Sequence, residues 1–258
     1  MKASFDIAAQ NYDQSFTNTK IGKSQRNSVY KMLSKHLNTC TDILEINCGT
    51  GEDAIWLAQR NFNVLATDIS ENMIAIGKSK NHYQNLTFNQ LDLTLLANRE
   101  SLGTFDLVFS NFGGLNCLPK NELQNFFTNI PNHLNEKGKL ALVIMPKNTI
   151  WEQCYFLLKG KLSKVFRRRK EVAIANVDGE NVATYYYNPK DIVNLAKINF
   201  NFIESKPIGF FIPPSYLEPF FQNKIRLFKI LNYLENKIKN KSFLSKYADH
   251  YIIILQKK

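Results

Sequence analysis

The 258-residue sequence lacks the long hydrophobic segments of membrane and secreted proteins. No apolar run approaches the roughly 18 residues that a membrane-spanning helix needs. The first seven residues include Asp6 and form no apolar signal core, which argues against secretion. We therefore expect a cytoplasmic chain without a transmembrane segment.

Cysteine and histidine are sparse, with four residues of each type. The cysteines lie at positions 40, 48, 117 and 154, and no two have the spacing of a Cys-x-x-Cys pair or of a metal site. The histidines, at positions 36, 82, 133 and 250, are scattered along the chain. The sequence thus predicts reduced thiols, no disulfide framework and no metal ion.

Acidic residues are scarce in the second part of the chain. Residues 1–150 contain 14 lysines and arginines and 13 acids, whereas residues 151–258 contain 19 and 9. Almost all of the formal net charge of +11 therefore belongs to the second part. Because a basic surface attracts anionic partners, we expect this charge to act where the substrate is chosen.

The sequence does contain a strand, a glycine turn and a helix start in direct succession at residues 43–54, Ile-Leu-Glu-Ile-Asn-Cys-Gly-Thr-Gly-Glu-Asp-Ala. Gly49 and Gly51 allow a sharp turn and a close approach of the backbone to a ligand. The helix predicted for Glu52 to Arg60 presents unpaired N–H groups in its first turn. This arrangement is typical of a site for a nucleotide-type cofactor.

Two kinds of cofactor compete for this turn. Residues 49–54 fit the dinucleotide pattern G-x-G-x-x-G/A, and Asp68 follows at the distance of a ribose-binding acid. A pyrophosphate would, however, face Glu45, Glu52 and Asp53, and like charges in a partly buried site repel strongly. S-adenosyl-L-methionine has a positive sulfonium and amino group and no phosphate. The acids therefore favour S-adenosyl-L-methionine.

Further strands alternate with helical segments downstream, which is typical of an α/β fold. Asp68 ends the second strand and could accept both ribose hydroxyls, and Asp92 ends the third and could accept from an adenine amino group. After residues 43–46, we predict strands at residues 63–68, 86–93, 105–112, 138–145, 200–211 and 249–256. A long helix is predicted for residues 223–240.

In this order of motifs the chain resembles the class I S-adenosylmethionine-dependent methyltransferase superfamily, of the small-molecule type, from about Lys35 to Pro146. The resemblance implies a Rossmann-like doubly wound seven-stranded sheet, mostly parallel with an antiparallel last strand, plus a helix and β-hairpin lid inserted after strand five. The family usually has glycine where this chain has Asn47. Asn is the residue that best tolerates the positive φ of such a turn, so we expect the turn to be kept.

The resemblance also implies a domain organisation and a site. The four predicted units are an N-terminal helical lid (1–34), a cofactor-binding core (35–146), a helix-and-hairpin insert over the acceptor (147–188) and the completion of the core sheet with a long helix (189–258). Tyr12 would cover the cofactor. Arg26 would either meet the methionine carboxylate of the cofactor or be a surface arginine. The predicted cofactor-binding residues are Tyr12, Arg26, Glu45, Asn47, Cys48, Gly49, Gly51, Asp68, Ile69, Met73, Asp92, Leu93 and Asn111.

Two segments of the insert have sequence patterns that predict their secondary structure. Apolar residues recur at helical spacing from Trp151 to Val165, which predicts an amphipathic helix that ends in the basic run 167–170. We favour solvated charges over a dedicated docking surface for this run. Asp178-Gly179, between two alternating runs, predicts a β-hairpin.

No catalytic residue is assigned from the sequence. Methyl transfer is a direct displacement that rests largely on alignment and exclusion of water, and a base is needed only if the nucleophile starts protonated. His133 lies in a helix pattern and His250 in a strand pattern, and we interpret both as structural.

The absence of certain motifs narrows the classes of methyl acceptor that fit this chain. Enzymes that methylate base amino groups carry Pro-Pro-aromatic after the fourth strand, where this chain has Asn111-Phe112-Gly113-Gly114, and Cys117 lacks the preceding proline of cytosine-C5 enzymes. We therefore expect a small, largely apolar or aromatic acceptor methylated at oxygen or carbon, and no nucleic acid. Two alternatives stay open: carboxyl O-methylation of an acyl group on an acidic carrier protein, and a non-catalytic cofactor-binding protein with a basic docking surface.

Overall fold

Strands and helices alternate along the computed structural model, which describes residues 6, 9–98, 102–177 and 180–258. The strands are β1 (Asp42–Ile46), β2 (Asn63–Asp68), β3 (Leu86–Gln90), β4 (Phe105–Ser110), β5 (Leu134–Ile144), β6 (Ala173–Val177), β7 (Glu180–Thr184), β8 (Phe200–Ile208) and β9 (His250–Lys257). The helices are α1 (Ala9–Tyr12), α2 (Lys20–Leu33), α3 (Glu52–Ala58), α4 (Glu71–Lys80), α5 (Lys120–Asn129), α6 (Ile150–Leu158), α7 (Pro189–Ala196), α8 (Glu218–Phe221) and α9 (Ile225–Ile238).

Seven strands form one sheet in the order β3-β2-β1-β4-β5-β9-β8. The first five of these are parallel, and β9 runs antiparallel to both β5 and β8. This confirms the predicted mostly parallel sheet with an antiparallel last strand. The strand order reverses between β1 and β4, and ligands of such sheets bind at the carboxyl ends of the strands beside this reversal.

Both faces of the sheet are covered, which is why its central strands are almost continuously apolar. Ile43 and Leu107 point to the face that α2, α3 and α4 cover, whereas Leu44 and Val108 point to the face that α5 and α7 cover. All four side chains are fully buried. The core therefore fixes the carboxyl ends of β1 and β4 side by side.

The helix after β5 is shorter than its apolar spacing predicts. It ends at Leu158 rather than near Val165, because Gly160 adopts a left-handed φ of 65° and breaks the helix. Short 3-10 turns follow at Leu162–Lys164 and Arg167–Arg169. The expectation of merely solvated charges is wrong for Arg168, whose side chain is buried.

The predicted hairpin strands pair antiparallel, with Ala173 opposite Thr184. Its Asp178-Gly179 turn lies outside the described residues, as do Phe5, Ile7 and Ala8 of the predicted entry segment. In the ranges that the structure describes, no helix is long and apolar enough to cross a membrane.

Candidate functional site

A cavity of about 570 Å³ lies at the carboxyl ends of the central strands. One end is lined by Gly49, Asp68 and Ile69, from the loops that follow β1 and β2. The other end is lined by side chains of α6, of the β6–β7 hairpin and of the start of β9, among them Glu152 and His250. The cavity thus joins the glycine turn to the insert that follows β5.

The glycine turn has the backbone conformation that its sequence predicts. Asn47, Gly49 and Gly51 all have positive φ, of 55°, 53° and 79°. A Cβ on Gly51 would lie 2.5 Å from the Phe88 ring, so close packing and φ both require glycine there. The Asn47 side chain donates to Ser110 Oγ at 3.3 Å and fills the space in front of Gly114.

Asp68 is fixed between the turn and α4. Its Oδ2 accepts from the Gly49 N–H and its Oδ1 from the Ser70 N–H, each at 2.9 Å. Ser70 in turn caps α4, because its Oγ accepts from the Met73 N–H. Burial raises the pKa of Asp68 above its usual value. Its carboxylate is therefore held rigidly in the cavity wall.

A charged cluster lies behind the turn. Asp53 Oδ2 accepts from Arg26 Nη1 at 2.6 Å and from Asn111 Nδ2 at 3.0 Å, and its Oδ1 accepts from the Tyr30 hydroxyl at 2.7 Å. Glu45 is buried, and neither carboxylate oxygen has a hydrogen-bond partner among the described residues. Burial, together with the charge of Asp53, raises the pKa of Glu45 well above its usual value.

These residues fit S-adenosyl-L-methionine better than a dinucleotide. Glu45, Asp53 and Asp68 outnumber the one buried base of the cluster, Arg26, so the site has an excess of acidic groups, and repulsion from Asp53 contributes to the raised pKa of Glu45. Such a site stabilises a sulfonium and an ammonium group and repels a pyrophosphate. The unpartnered buried oxygens of Glu45 are a further place where positive charge would be stabilised.

The predicted cofactor residues fall into three groups. Those that line the cavity are Tyr12, Asn47, Gly49, Asp68, Ile69, Met73 and Asn111. Arg26 and Cys48 line a small adjoining pocket, with Glu45 and Gly51 packed nearby. Asp92 and Leu93 are not among the described residues that line either space, and Asp92 Oδ1 instead accepts from the N–H and hydroxyl of Thr94.

The N-terminal segment is fastened to the glycine turn by a contact that the sequence does not reveal. Asp13 Oδ1 accepts from the Thr50 hydroxyl at 2.6 Å, and Asp13 Oδ2 pairs with Lys80 Nζ at 2.8 Å. These partners hold the pKa of Asp13 below its usual value although burial opposes them. Tyr12 is thereby placed over the cavity, and its burial raises its pKa to about 12.

The far end of the cavity contains a chain of ion pairs. Arg167 Nε and Nη2 donate to the two Glu152 oxygens at 2.8 and 3.0 Å. Arg168 bridges Glu152, at 3.1 Å from Nε, and Asp249 Oδ1, at 3.2 Å from Nη2. The Arg168 guanidinium also lies 4.9 Å from the centre of the Tyr186 ring. Two arginines and two acids therefore balance one another in the cavity wall.

His250 extends this chain toward the cofactor end. Its Nδ1 lies 3.2 Å from Asp249 Oδ2, and its ring packs edge-on against Phe112 with centres 5.5 Å apart. Burial alone would raise the pKa of Asp249, but the adjacent His250 imidazole and the Arg168 guanidinium hold it well below its usual range. His250 lines the cavity, whereas His133 faces the Gly103 carbonyl at 3.1 Å, away from it.

Sequence reasoning missed the residues at this far end. The basic run 167–170 and the Asp249-His250 pair were visible, but their partners come from segments that are distant in the chain. The Asp249-His250 dipeptide was the one local signal of this part of the site. It lies at the start of a strand, and the ends of strands reach the rim of a sheet.

Comparison with known proteins agrees with this geometry. Residues 43–138 match the family model of a methyltransferase domain. A Geobacillus protein named as a methyltransferase is 40% identical over 101 residues, which are 38% of this chain and 40% of the relative. Malonyl-[acyl-carrier protein] O-methyltransferase of Bacillus anthracis is 28% identical over 201 residues, 75% of this chain and 66% of the relative. The matches span less than two thirds of either relative.

A solved structure has the same fold over most of its length. An S-adenosylmethionine-dependent methyltransferase from Clostridium acetobutylicum superposes with a TM-score of 0.59 at 17% identity, over 91% of each chain. Residues 43–138 therefore belong to a methyltransferase domain, and the sheet order and the acid-lined glycine turn are consistent with the class I S-adenosylmethionine-dependent methyltransferase superfamily. The cofactor of its site is S-adenosyl-L-methionine.

Proposed function

We propose that this chain, acting in the cytoplasm, transfers the methyl group of S-adenosyl-L-methionine to an oxygen atom of a small, largely apolar or aromatic acceptor, and that His250 takes up the acceptor's hydroxyl proton. The observation that carries the proposal is the position of His250, whose ring lines the cavity while its Nδ1 lies 3.2 Å from the Asp249 carboxylate. A histidine oriented by a carboxylate is a common general base.

In this proposal the cofactor occupies the end of the cavity at the glycine turn. The Asp68 carboxylate would accept from the ribose hydroxyls, and Asn47 and Gly49 would lie along the methionine part. Arg26 would not be free to pair fully with the methionine carboxylate, because its Nη1 is bound to Asp53 at 2.6 Å. When bound, the cofactor supplies an electrophilic methyl group.

The acceptor hydroxyl must lose its proton as its oxygen bonds to the methyl carbon. Of the two neutral tautomers of His250, the Asp249 carboxylate 3.2 Å away favours the one with the proton on Nδ1, although Nδ1 makes no hydrogen bond to any described residue. Nε2 is then left to accept the acceptor's proton. The oxygen–carbon bond forms as the sulfur–carbon bond breaks. The products are a methyl ether, S-adenosylhomocysteine and a proton on the imidazole.

Aromatic side chains would align the acceptor and exclude water. The rings of Phe16, Phe112, Tyr186 and Tyr216 all line the cavity, and such rings suit an apolar or aromatic molecule. We propose that residues 147–188 act as the lid, since Glu152 and Thr184 from this insert reach the cavity wall.

A second candidate is carboxyl O-methylation of an acyl group on an acidic carrier protein. The observation that favours it is the pair Arg167 and Arg168 in the cavity wall, because guanidinium groups bind carboxylates. The Bacillus relative is named for a reaction of this kind. A carboxylate is already deprotonated at neutral pH, so this reaction would need no base.

The test uses the full chain with methyl-labelled S-adenosyl-L-methionine and a metabolite extract, followed by mass spectrometry of the labelled product. For the hydroxyl acceptor so identified, His250→Gln should lower kcat by about 10²–10⁴-fold and leave the affinity for S-adenosylhomocysteine unchanged. His82→Gln is the matched control, because His82 is exposed on a loop.

The outcomes separate the candidates. A labelled product that mild alkali hydrolyses, made at a similar rate by His250→Gln and only from carrier-bound acyl groups, would establish the carboxyl reaction instead. If the chain binds S-adenosylhomocysteine but labels nothing in either pool, it is a cofactor-binding protein without catalysis.

A further inference from the structure

The segment that contains α9 has an unusual distribution of charge. Residues 222–247 contain seven lysines and arginines and one acid, Glu235. Glu235 is buried and accepts hydrogen bonds from the backbone N–H groups of residues 209–212 at 2.7–3.3 Å. Every charge that this segment shows to solvent is therefore positive.

Helix α9 has one face packed against the protein. Phe228 and Leu231 join a small apolar cluster with Ile21 and Ile212. Asn232 on the same face bonds to Ser24 of α2. The helix is thus fixed to the body by one side, and its other side is free to carry a different role.

The outer face of α9 is apolar as well as basic. Ile225, Ile230 and Tyr233 are 57%, 55% and 60% exposed. Leu227 is also exposed on this helix, between Arg226 and Lys229. A purely solvated face would be expected to carry polar residues at these positions.

Exposed aromatic residues flank the helix and pair with lysines. Phe220 and Phe243 are 55% and 67% exposed. Lys224 Nζ lies 3.9 Å from the centre of the Phe220 ring, and Lys237 Nζ lies 5.2 Å from that of Tyr233. Rings and long cationic side chains of this kind are typical of helices that lie in a membrane interface.

We propose that the exposed side of residues 220–247, which we call the α9 surface, docks this protein on a lipid membrane with anionic headgroups. Basic and apolar residues alternate along it, as in Lys224, Ile225, Arg226 and Leu227. Lysine is depleted from the cores of protein–protein interfaces, whereas at a membrane its stem lies on the acyl chains while its ammonium group reaches the headgroups. The pattern therefore favours a lipid surface over an acidic protein.

The proposal does not depend on the identity of the acceptor. It is tested by sedimentation of the full chain with vesicles of phosphatidylcholine alone and of phosphatidylcholine mixed with phosphatidylserine. The chain should pellet with the mixed vesicles, and added salt should release it. Lys229→Gln and Lys237→Gln should each weaken the partition coefficient by about fivefold, and Ile230→Ser should weaken it through lost apolar contact.

The matched control is the pair Lys190→Gln and Ile198→Ser. Both side chains are exposed, at or next to α7, which packs on the opposite face of the sheet. These variants should pellet like the wild type. Unchanged affinity for S-adenosylhomocysteine shows that each variant is folded.

Three results would overturn the proposal. The first is no pelleting with phosphatidylserine vesicles at low salt. The second is equal pelleting by the α9-surface variants and the control variants. The third is absence of vesicle binding together with formation of a dimer, or of a complex with a purified acidic carrier protein, that the Ile230→Ser substitution disrupts.

Discussion

Asn47 and Gly114 form a matched pair beside the cofactor end of the cavity. A Cβ on Gly114 would lie 2.4 Å from the Asn47 Cβ and 2.6 Å from its Cγ and Nδ2. The side chain that replaces the usual glycine of the turn is thus accommodated by a glycine on the loop after β4. Gly114 therefore has no room for a side chain while Asn47 is present.

Gly114→Ala should destabilise the chain by about 1–3 kcal/mol through overpacking. In the double variant Asn47→Gly with Gly114→Ala, the space is vacated and most of that stability should return. Urea denaturation of both single variants and of the double variant measures the coupling. Additive effects of the two substitutions would show that the contact is not the cause.

Glu45 is a buried acid whose charge is not compensated by a hydrogen bond from any described residue. The pKa of Glu45 is raised in the folded chain. As pH rises, Glu45 therefore loses its proton first in the unfolded chain, near the ordinary glutamate pKa of about 4.3. The stability that the protonated Glu45 contributes is therefore complete below that pH. It is lost as pH rises toward the folded-state pKa.

Glu45→Gln should accordingly stabilise the cofactor-free chain at pH 7 by about 1–3 kcal/mol, because it removes a buried acid that the folded chain ionises only at a free-energy cost. The difference from wild type should shrink as pH falls toward about 4. Denaturation curves at a series of pH values measure it. A difference that is independent of pH would contradict the assignment of the effect to ionisation.

At the scale of residues, backbone conformation and position in an element could be predicted from the sequence, whereas the hydrogen-bond and ion-pair partners of side chains could not. The positive φ of Asn47 and the strand-end position of Asp68 follow from a few neighbouring residues. The bond of Arg26 to Asp53, by contrast, depends on how α2 packs over the turn. Asp92 was predicted to face adenine, but the described structure pairs it with Thr94.

Among the elements, α6 and the basic turn after it form one unit through Glu152. This acid is buried in the first turn of α6 and receives hydrogen bonds from both Arg167 and Arg168. Arg168 then connects the unit to Asp249 at the start of β9. The insert is therefore tied to the central sheet by charge as well as by packing.

Arg168→Met should destabilise the chain by about 3–5 kcal/mol, because it leaves Asp249 buried without a guanidinium and Glu152 with Arg167 as its remaining arginine partner. Arg169→Met is the matched control, since the neighbouring Arg169 is exposed and should change stability by less than about 0.5 kcal/mol. Thermal unfolding of both variants measures the difference. Equal effects would contradict a special role for the buried arginine.

Element positions in the core follow from the sequence more closely than those in the insert. The bounds of β2 are those predicted, whereas β3 and β4 end at Gln90 and Ser110, before the predicted ends at residues 93 and 112. The length of α6 was overestimated because apolar spacing continues past Gly160, whose left-handed φ ends the helix. The burial of Arg168 needs Glu152 and Asp249 together, and periodicity carries no such information.

For the whole molecule, cofactor binding should appear as added stability. At a concentration of S-adenosylhomocysteine about 100 times its Kd, the folded chain gains about 2.7 kcal/mol. For a chain of this size, that corresponds to a rise in Tm of about 5–10 °C. Asp68→Ala should abolish the rise, because the carboxylate that lines the cavity is removed.

Asp42→Ala is the control for this measurement. Asp42 lies at the amino end of β1 and accepts from the Asn63 side chain at 2.9 Å, far along the strand from the glycine turn. It should keep the full rise in Tm. A full rise in Asp68→Ala would overturn the ribose assignment.

At this scale the order of the motifs was enough to predict the sheet, because connections in such folds follow few rules. The uneven division of charge was also visible. The sequence did not show that the basic residues of the second part have two different locations. Arg168 is buried in the cavity wall, whereas the lysines of the α9 surface face solvent.

The place of β9 between β5 and β8 has a consequence for how the molecule is made. Its hydrogen bonds join residues as distant as Lys139 and Gln256, and such non-local pairings form slowly. On the ribosome, the turn at Gly49 can fold around its strands long before β9 is synthesised. The residues of the methyl-donor end of the cavity are therefore synthesised first, and His250 joins them at the other end only when β9 enters the sheet.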